Sequence, residues 1–197
     1  MEILSNMLRK GIIAASGGGN KDPFFNNVSL LLRMDGSIGS RIFKDSSLND
    51  FQLTAYGNSP STYGAEIVTS SRTEFKQMGK FLGPYTGSTN SNVARIAFNH
   101  NGSAFEFGTG DFTVEFWAYR TGSGSFSRFI NNGAWGLELG AGGGNVKWFA
   151  SGFSGYIFTI SAAPLLNSWT HIAIVRYNNV LRYYRNGVIM TTVNNHT

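Results

Sequence analysis

Short aromatic-rich runs separated by turn-forming residues are the feature of this 197-residue chain that most limits how it can fold. Examples are DFQLTAYGN, DFTVEFWAYR, WTHIAIVRY and VLRYYRNG, and glycine, asparagine, serine and threonine lie between them. About ten such runs can be found, and no helical periodicity of any length follows residue 24. Many short strands with turn signals between them predict an all-β sandwich or barrel.

The run at residues 111–120, DFTVEFWAYR, carries aromatic side chains on both faces of the predicted strand. Successive side chains of a strand point to opposite faces, so Phe112, Val114, Phe116 and Ala118 form one set. The other set is Thr113, Glu115, Trp117 and Tyr119. We expect protein to cover this second face, supplied either by loops of the same chain or by a neighbouring chain.

Residues 169–188 predict a β-hairpin with a two-residue turn at Asn178 and Asn179, because asparagine tolerates the positive φ that such a turn needs. With this turn, Ile174 lies opposite Tyr183 and Ile172 lies opposite Arg185. The residues expected to face the core are Ile172, Ile174, Leu181 and Tyr183.

The first 23 residues are predicted to form an N-terminal docking arm, and residues 24–197 a separate β-sandwich. Residues 1–10 can form a short amphipathic helix that ends at Gly11. Such a short helix needs a partner surface. The run SGGGNKDP at residues 16–23 then resembles a flexible linker. The arm residues expected to dock on a partner share one helical face and are Ile3, Leu4, Met7 and Leu8.

Charge and cysteine content exclude several classes of protein. The formal net charge is +5, but the basic residues are scattered without a basic run, so no nucleic-acid binding is predicted. The chain has no cysteine, which excludes disulfide frameworks and cysteine-based zinc sites. No apolar stretch is long enough to span a membrane, and the run at residues 11–15 is too short for a signal peptide.

The acidic residues do not form a recognisable catalytic pair. Glycoside hydrolysis needs two carboxyl groups at a defined separation. Glu115 has threonine at position 113 and tryptophan at position 117, and Asp111 lies at the loop end of the run, so no enzyme is predicted.

No metal site or cofactor is predicted. His100, His171 and His196 lack metal-ligand spacing. Calcium binding remains an alternative, and loop carboxylates would have to supply its ligands. However, calcium needs six to eight oxygen ligands, and no acidic cluster is present. The available carboxylates are Asp35, Asp45, Asp50 and Asp111.

Three segments together resemble the laminin G-like, concanavalin A-like superfamily. They are VSLLLRMDGS followed by RIFKDSSLNDFQLTAYGN, then FEFGTGDFTVEFWAYR, and lastly SWTHIAIVRYNNVLRYYRNGV. The resemblance runs from about Val28 to Val188 and implies a jelly-roll sandwich. Family members usually continue past this last hairpin, so the resemblance implies that the sheet lacks its last strands. Either the chain is then the N-terminal portion of a longer protein, or a neighbouring subunit completes the sheet. An unpaired sheet edge invites pairing with another chain, so a homo-oligomer is predicted.

The arm together with GGGNKDPFFNNVSLLLRMDGS resembles laminin G-like domains of tailed-bacteriophage virion proteins, especially marine and cyanobacterial ones. This implies a non-enzymatic virion protein, in a tail fibre, an appendage or a capsid decoration. Its arm would dock on other virion proteins, and its sandwich would serve assembly or attachment to the host surface. The alternative is a glycan-binding adhesin, and a glycoside hydrolase relative is the third hypothesis. Candidate glycan or partner contacts are Trp117, Tyr119, Trp135 and Trp148.

Overall fold

A computed structural model describes residues 2–4, 23–57, 64–82, 94–99, 105–122, 128–140, 143–150 and 154–194, with the backbone alone for residues 2–4 and 82. In these ranges the chain is all-β apart from one turn of 3-10 helix at Phe25–Asn27. None of these residues belongs to a helix long and apolar enough to cross a membrane. The predicted fold class is therefore confirmed.

Thirteen strands lie within the described residues. They are β1 (Glu2–Leu4), β2 (Thr54–Tyr56), β3 (Gly64–Thr69), β4 (Gln77–Leu82), β5 (Arg95–Ala97), β6 (Phe112–Tyr119), β7 (Arg128–Asn131), β8 (Trp135–Leu139), β9 (Val146–Ala150), β10 (Phe158–Ile160), β11 (Trp169–Tyr177), β12 (Val180–Arg185) and β13 (Val188–Val193).

The strands form two main sheets and a small ribbon. The larger sheet has seven strands in the order β13-β12-β11-β6-β1-β4-β3, and the smaller has four in the order β10-β9-β8-β7. Strands β2 and β5 form a separate two-stranded ribbon. All these strand pairs are antiparallel. This arrangement fits a jelly-roll sandwich.

The main core lies between the two larger sheets. Side chains from β6, β11 and β12 meet side chains from β8, β9 and β10 there. Its most deeply buried members are Ala118, Leu137, Val146, Trp148, Ile172, Ile174, Leu181 and Tyr183. The four core residues predicted from the hairpin are all included, because they fall on the alternate positions that face the smaller sheet.

The predicted hairpin register is also confirmed. Ile174 pairs with Tyr183, and Ile172 pairs with Arg185. Asn178 and Asn179 have φ angles of 49° and 60°. Two successive positive φ angles match the type I′ turn, whose twist suits the flanking strands.

The apolar run VSLLLRMDG at residues 28–36 predicts a strand, but this prediction is wrong, because the structure has no strand there. This segment makes one isolated bridge, between Leu32 and Asp45. The Leu31 N–H donates to the Asp45 carboxylate at 3.0 Å, and not to a neighbouring strand. Side-chain acceptors compete with ladder hydrogen bonds in this way.

The predicted N-terminal helix is wrong at residues 2–4, which form β1 between β4 and β6. Ile3 pairs with Gly79 on one side and with Ala118 on the other, so Ile3 and Leu4 belong to the sheet. A short helix is marginal in water, whereas two strand edges offer the backbone hydrogen bonds on both sides. Met7 and Leu8 lie outside the described residues.

Candidate ligand-binding site

The second face of β6 carries a cluster of aromatic side chains shared with β11. The rings of Trp117 and His171 lie 5.1 Å apart, and those of Tyr119 and Trp169 lie 5.4 Å apart. The Glu115 carboxylate lies 3.5 Å from His171 Nε2. All five side chains are half-buried. We call these five residues the outer-face cluster.

The segment at residues 70–76 covers much of this cluster. The guanidinium carbon of Arg72 lies 3.8 Å from the ring centre of Trp117, and the Phe75 ring lies 6.0 Å from it. Trp169 Nε1 donates a 3.0 Å hydrogen bond to the Ser71 hydroxyl. The expectation that protein covers the second face is confirmed, and the chain itself supplies the cover. Arg72 already occupies the position over Trp117 where a sugar ring would stack.

The assignment of Trp135 and Trp148 as glycan contacts is wrong for this structure. They are 5% and 1% exposed, and their rings stack 5.5 Å apart inside the main core. The Trp135 indole nitrogen donates to the Phe105 carbonyl oxygen at 2.7 Å. Glycines near both tryptophans in the sequence are typical of loops. However, both tryptophans lie on strands, at inward-facing positions that the core fills.

A polar cleft of about 220 Å³ opens on the β2–β5 ribbon. Its lining consists of aromatic, amide, hydroxyl and small apolar side chains: Gln52, Thr54, Tyr56, Ala97, Phe98 and Asn99. Thr54 pairs with Ala97, so the small alanine lies in the middle of the face. Tyr56 is 39% exposed and stands at one end. Tyr56 pairs with Arg95, whose guanidinium carbon lies 4.3 Å from the centre of the Tyr56 ring.

The back of the ribbon fixes this face in position. Leu53, Ala55 and Ile96 pack against a second buried cluster that includes Ile67. Arg41 donates hydrogen bonds to the carbonyl oxygens of residues 55 and 57, at 3.3 and 2.8 Å. Because one face is buried, the pairing register is strongly specified, and the polar residues must face solvent.

At the edge of the Gln52–Tyr56 segment that faces away from β5, Lys44 makes an antiparallel bridge with Gln52. Directly opposed residues share a face, so Lys44 extends the polar face by one more strand position. We call the seven residues of this surface the ribbon face: Lys44, Gln52, Thr54, Tyr56, Arg95, Ala97 and Asn99.

Sequence reasoning recognised one strand of this surface but missed the site. The alternation in DFQLTAYGN separates Gln52, Thr54 and Tyr56 from the apolar positions, and the structure confirms that these three are exposed. The partner strand lies about forty residues away along the chain, and its pairing register leaves no local signal. An exposed tyrosine among amides and hydroxyls was the one available clue.

Asp111 and Glu66 lie too far from Glu115 to form a hydrolase pair with it. Asp111 precedes Glu115 by four residues, which corresponds to about 13 Å between their backbone positions along the strand. Glu66 is on β3, at least three strand spacings from β6, or about 14 Å. Both separations exceed the roughly 5–9.5 Å found in glycoside hydrolases. Asp111 also accepts a hydrogen bond from the Asn178 N–H at 3.0 Å.

Metal-binding groups are likewise dispersed. Among the described residues, no three histidine, aspartate or glutamate side chains come together in a way that could hold a metal ion. Asp45, one of the candidate calcium ligands, is buried, and both of its carboxylate oxygens accept hydrogen bonds from the protein.

Comparison with known proteins gives one family. A laminin G-type family model, described as the concanavalin A-like lectin/glucanases superfamily, matches residues 87–197. The match covers more than half of the chain, including β5 and every strand from β6 to β13. No curated protein and no solved structure matches the chain.

Proposed function

The chain belongs to the concanavalin A-like lectin/glucanases superfamily, and we propose that it is a non-enzymatic carbohydrate-binding attachment module. The family suggests a carbohydrate-binding or adhesin-like module. The observation that carries the proposal is the ribbon face, where an exposed tyrosine shares one surface with two amide side chains and a hydroxyl. Ligand sites commonly combine an apolar or aromatic wall with a few polar groups that fix orientation.

The chemistry of the ribbon face suits a saccharide. Gln52 and Asn99 each offer both a donor and an acceptor, and the Thr54 hydroxyl does the same. Sugar hydroxyls need this mixed pattern, while the apolar face of a sugar ring can pack on the part of the exposed Tyr56 ring that Arg95 does not cover. Tyr56 has an apolar ring and a polar tip, so it can contribute to both kinds of contact.

The absence of hydrolysis is also part of the proposal. Its support is the wide separation of Glu115 from Asp111 and from Glu66. A bound oligosaccharide incubated with the protein should therefore release no new reducing ends. Appearance of reducing ends would overturn this element of the proposal.

We further propose that the module is displayed on a tailed-bacteriophage particle as part of a homo-oligomer. The support is the resemblance of GGGNKDPFFNNVSLLLRMDGS and the later motifs to virion domains. Because residues 2–4 form β1, Met7 and Leu8 are the proposed anchors to other virion proteins. Met7→Glu with Leu8→Glu should prevent incorporation into particles while the folded protein keeps its circular dichroism spectrum. Normal incorporation would contradict the anchor.

The direct test of carbohydrate binding is a glycan array probed with the full chain and two variants. Tyr56→Ala removes the exposed ring of the ribbon face. Tyr177→Ala is the matched control, because Tyr177 is 59% exposed and lies at the end of β11. We expect about two- to tenfold weaker binding by Tyr56→Ala, since an aromatic contact contributes roughly 0.5–1.5 kcal/mol. Binding of no glycan, or full binding by Tyr56→Ala, would overturn the proposal.

A further inference from the structure

The ribbon face has an unequal distribution of charge. Of its seven residues, Lys44 and Arg95 are cationic, and none carries a carboxylate. From this we infer that the saccharide bound there is acidic and carries more than one negative group. The inference rests on the proposed carbohydrate-binding function and specifies its ligand class.

Both cations are available to a ligand. Lys44 and Arg95 are exposed. Among the residues that the structure describes, the ion pairs of lysine and arginine are Arg72–Glu74, Lys80–Glu66 and Arg128–Glu138, so neither Lys44 nor Arg95 takes part in one. Arg95 rests against the ring of Tyr56, which leaves the edge of its planar guanidinium able to donate hydrogen bonds.

The two cations stand at opposite ends of the cleft. Lys44 lies opposite Gln52, and Arg95 lies opposite Tyr56. Gln52 and Tyr56 are four residues apart, which corresponds to about 13 Å along the strand. With backbone positions this far apart, the two cations suit one anionic group at each end better than a single carboxylate or sulfate shared between them. A chain with repeated acidic groups can engage both ends and place its intervening sugars against Thr54 and Ala97.

The net charge of the whole chain favours the same ligand. The chain has a formal net charge of +5. A positive protein attracts a polyanion at long range, and salt screens this attraction. A neutral glycan would gain little from either cation. An acidic glycan gains charge-assisted hydrogen bonds, which are roughly twice as strong as neutral ones.

The test compares acidic saccharides with neutral counterparts of the same backbone. The probes are oligogalacturonate with its methyl ester, hyaluronan oligosaccharide with its methyl ester, and dextran sulfate with dextran. We expect the full chain to bind at least one acidic member about tenfold more tightly than its counterpart. Arg95→Gln and Lys44→Gln should each weaken that binding several-fold, and the double variant should remove the preference. Lys76→Gln is the matched control, because Lys76 is an exposed cation outside the ribbon face.

The outcomes separate this inference from the proposed function. If no acidic member binds more tightly than its counterpart, the inference is wrong, while neutral ligands on the glycan array would still support carbohydrate binding. If no glycan binds at all, both fail. Polyglutamate and polyphosphate serve as competitors, because they carry repeated negative charges but contain no sugar ring. If either displaces the acidic saccharide equally well and Tyr56→Ala has no effect, the face is a general anion surface and the inference is overturned.

Discussion

The hydroxyl of Tyr183, buried in the main core, donates a 2.8 Å hydrogen bond to the carbonyl oxygen of Ala162. Two arginines continue this pattern along the same segment. Arg185 donates to the carbonyl oxygen of residue 163 at 3.1 Å, and Arg120 donates to that of residue 164 at 2.7 Å. Two side chains of β12 and that of Arg120, which directly follows β6, thus hold three successive carbonyl groups at 162–164. These bonds attach the connection between β10 and β11 to the sandwich.

Replacing Tyr183 with phenylalanine should lower the free energy of unfolding by about 1–2 kcal/mol. The change leaves the Ala162 carbonyl buried without this donor, and a buried polar group without a partner costs about that much. Urea unfolding at neutral pH measures the loss. Tyr177→Phe changes the same hydroxyl at an exposed site, so its stability should be unchanged. An equal stability for both variants would show that the Tyr183 hydrogen bond contributes nothing.

The same tyrosine predicts a loss of stability at alkaline pH. Burial raises the pKa of Tyr183 well above its ordinary value, and the charge of Arg185 opposes this only partly. In the unfolded chain the phenol ionises near pH 10, while in the folded protein it stays neutral. Its contribution is therefore fully present below about pH 10 and is lost as the pH rises above it. The difference in unfolding free energy between wild type and Tyr183→Phe should shrink from pH 9 to pH 11. A constant difference would contradict the prediction.

Asp45 predicts the opposite dependence at acid pH. Burial raises its pKa, but hydrogen bonds from the backbone N–H groups of Leu31, Ser47 and Phe51 and from the Ser47 hydroxyl outweigh burial and lower it. A carboxyl with a depressed pKa contributes stability above its unfolded pKa of about 4, and this contribution is lost as the pH falls through the folded value.

Asp45→Asn should lower the free energy of unfolding by about 2–3 kcal/mol at pH 7, because an amide nitrogen cannot accept hydrogen bonds. Between pH 5 and pH 2, wild type should lose more stability than this variant. The matched control is Asp35→Asn, because the Asp35 carboxylate is exposed. Its stability at pH 7 and its loss of stability between pH 5 and pH 2 should both stay near those of wild type. If the free energy of unfolding of Asp45→Asn fell as steeply between pH 5 and pH 2 as that of wild type, other carboxyl groups would have to account for the loss.

Local patterns in the sequence predict those parts of the fold that depend on neighbouring residues. The hairpin at 169–188 follows from an apolar alternation and a two-asparagine turn, and its register and core residues are confirmed. The segment around Leu31 has a strand-like pattern, but the distant Asp45 carboxylate accepts its N–H. Such side-chain contacts between separate segments leave no periodic signal.

The candidate site was less predictable, because a tryptophan pattern does not tell burial from exposure. Trp117 is covered by Arg72 from a loop forty-five positions earlier in the chain, and Trp148 fills the core. The ribbon face exists because β2 pairs with the distant β5. That pairing places Tyr56 beside Arg95, a contact that depends on tertiary structure alone.

The Arg72 guanidinium over Trp117 predicts a fluorescence response. Arg72→Ala should expose the Trp117 ring, shift its emission to longer wavelength and increase quenching by acrylamide. Stability should fall by roughly 0.5–1 kcal/mol, the magnitude of a cation–π contact near the surface. The chain has four tryptophans, so the same change in a Trp117→Phe background is the control and should leave the emission unaltered. A similar shift in that background would assign the change to another tryptophan.

The position of β1 predicts a specific disulfide. Ile3 is paired with Ala118, and the chain has no natural cysteine to compete. Ile3→Cys combined with Ala118→Cys should therefore cross-link on mild oxidation, since directly opposed residues of antiparallel strands lie about 4.5–5.5 Å apart between Cα atoms. The control pair, Ile3→Cys with Val114→Cys, is four residues out of register, or about 13 Å, and should not cross-link.

Non-reducing electrophoresis separates the outcomes of this cross-linking. A compact monomer band places β1 in the sheet of its own chain, whereas a ladder of linked chains means that a neighbour supplies the strand. Thiol counting under denaturing conditions confirms that both cysteines are consumed. Free thiols in both cysteine pairs would contradict the pairing of β1 with β6. Because β1 joins β4 to β6, removal of residues 1–20 should also lower the free energy of unfolding, in proportion to the backbone hydrogen bonds lost.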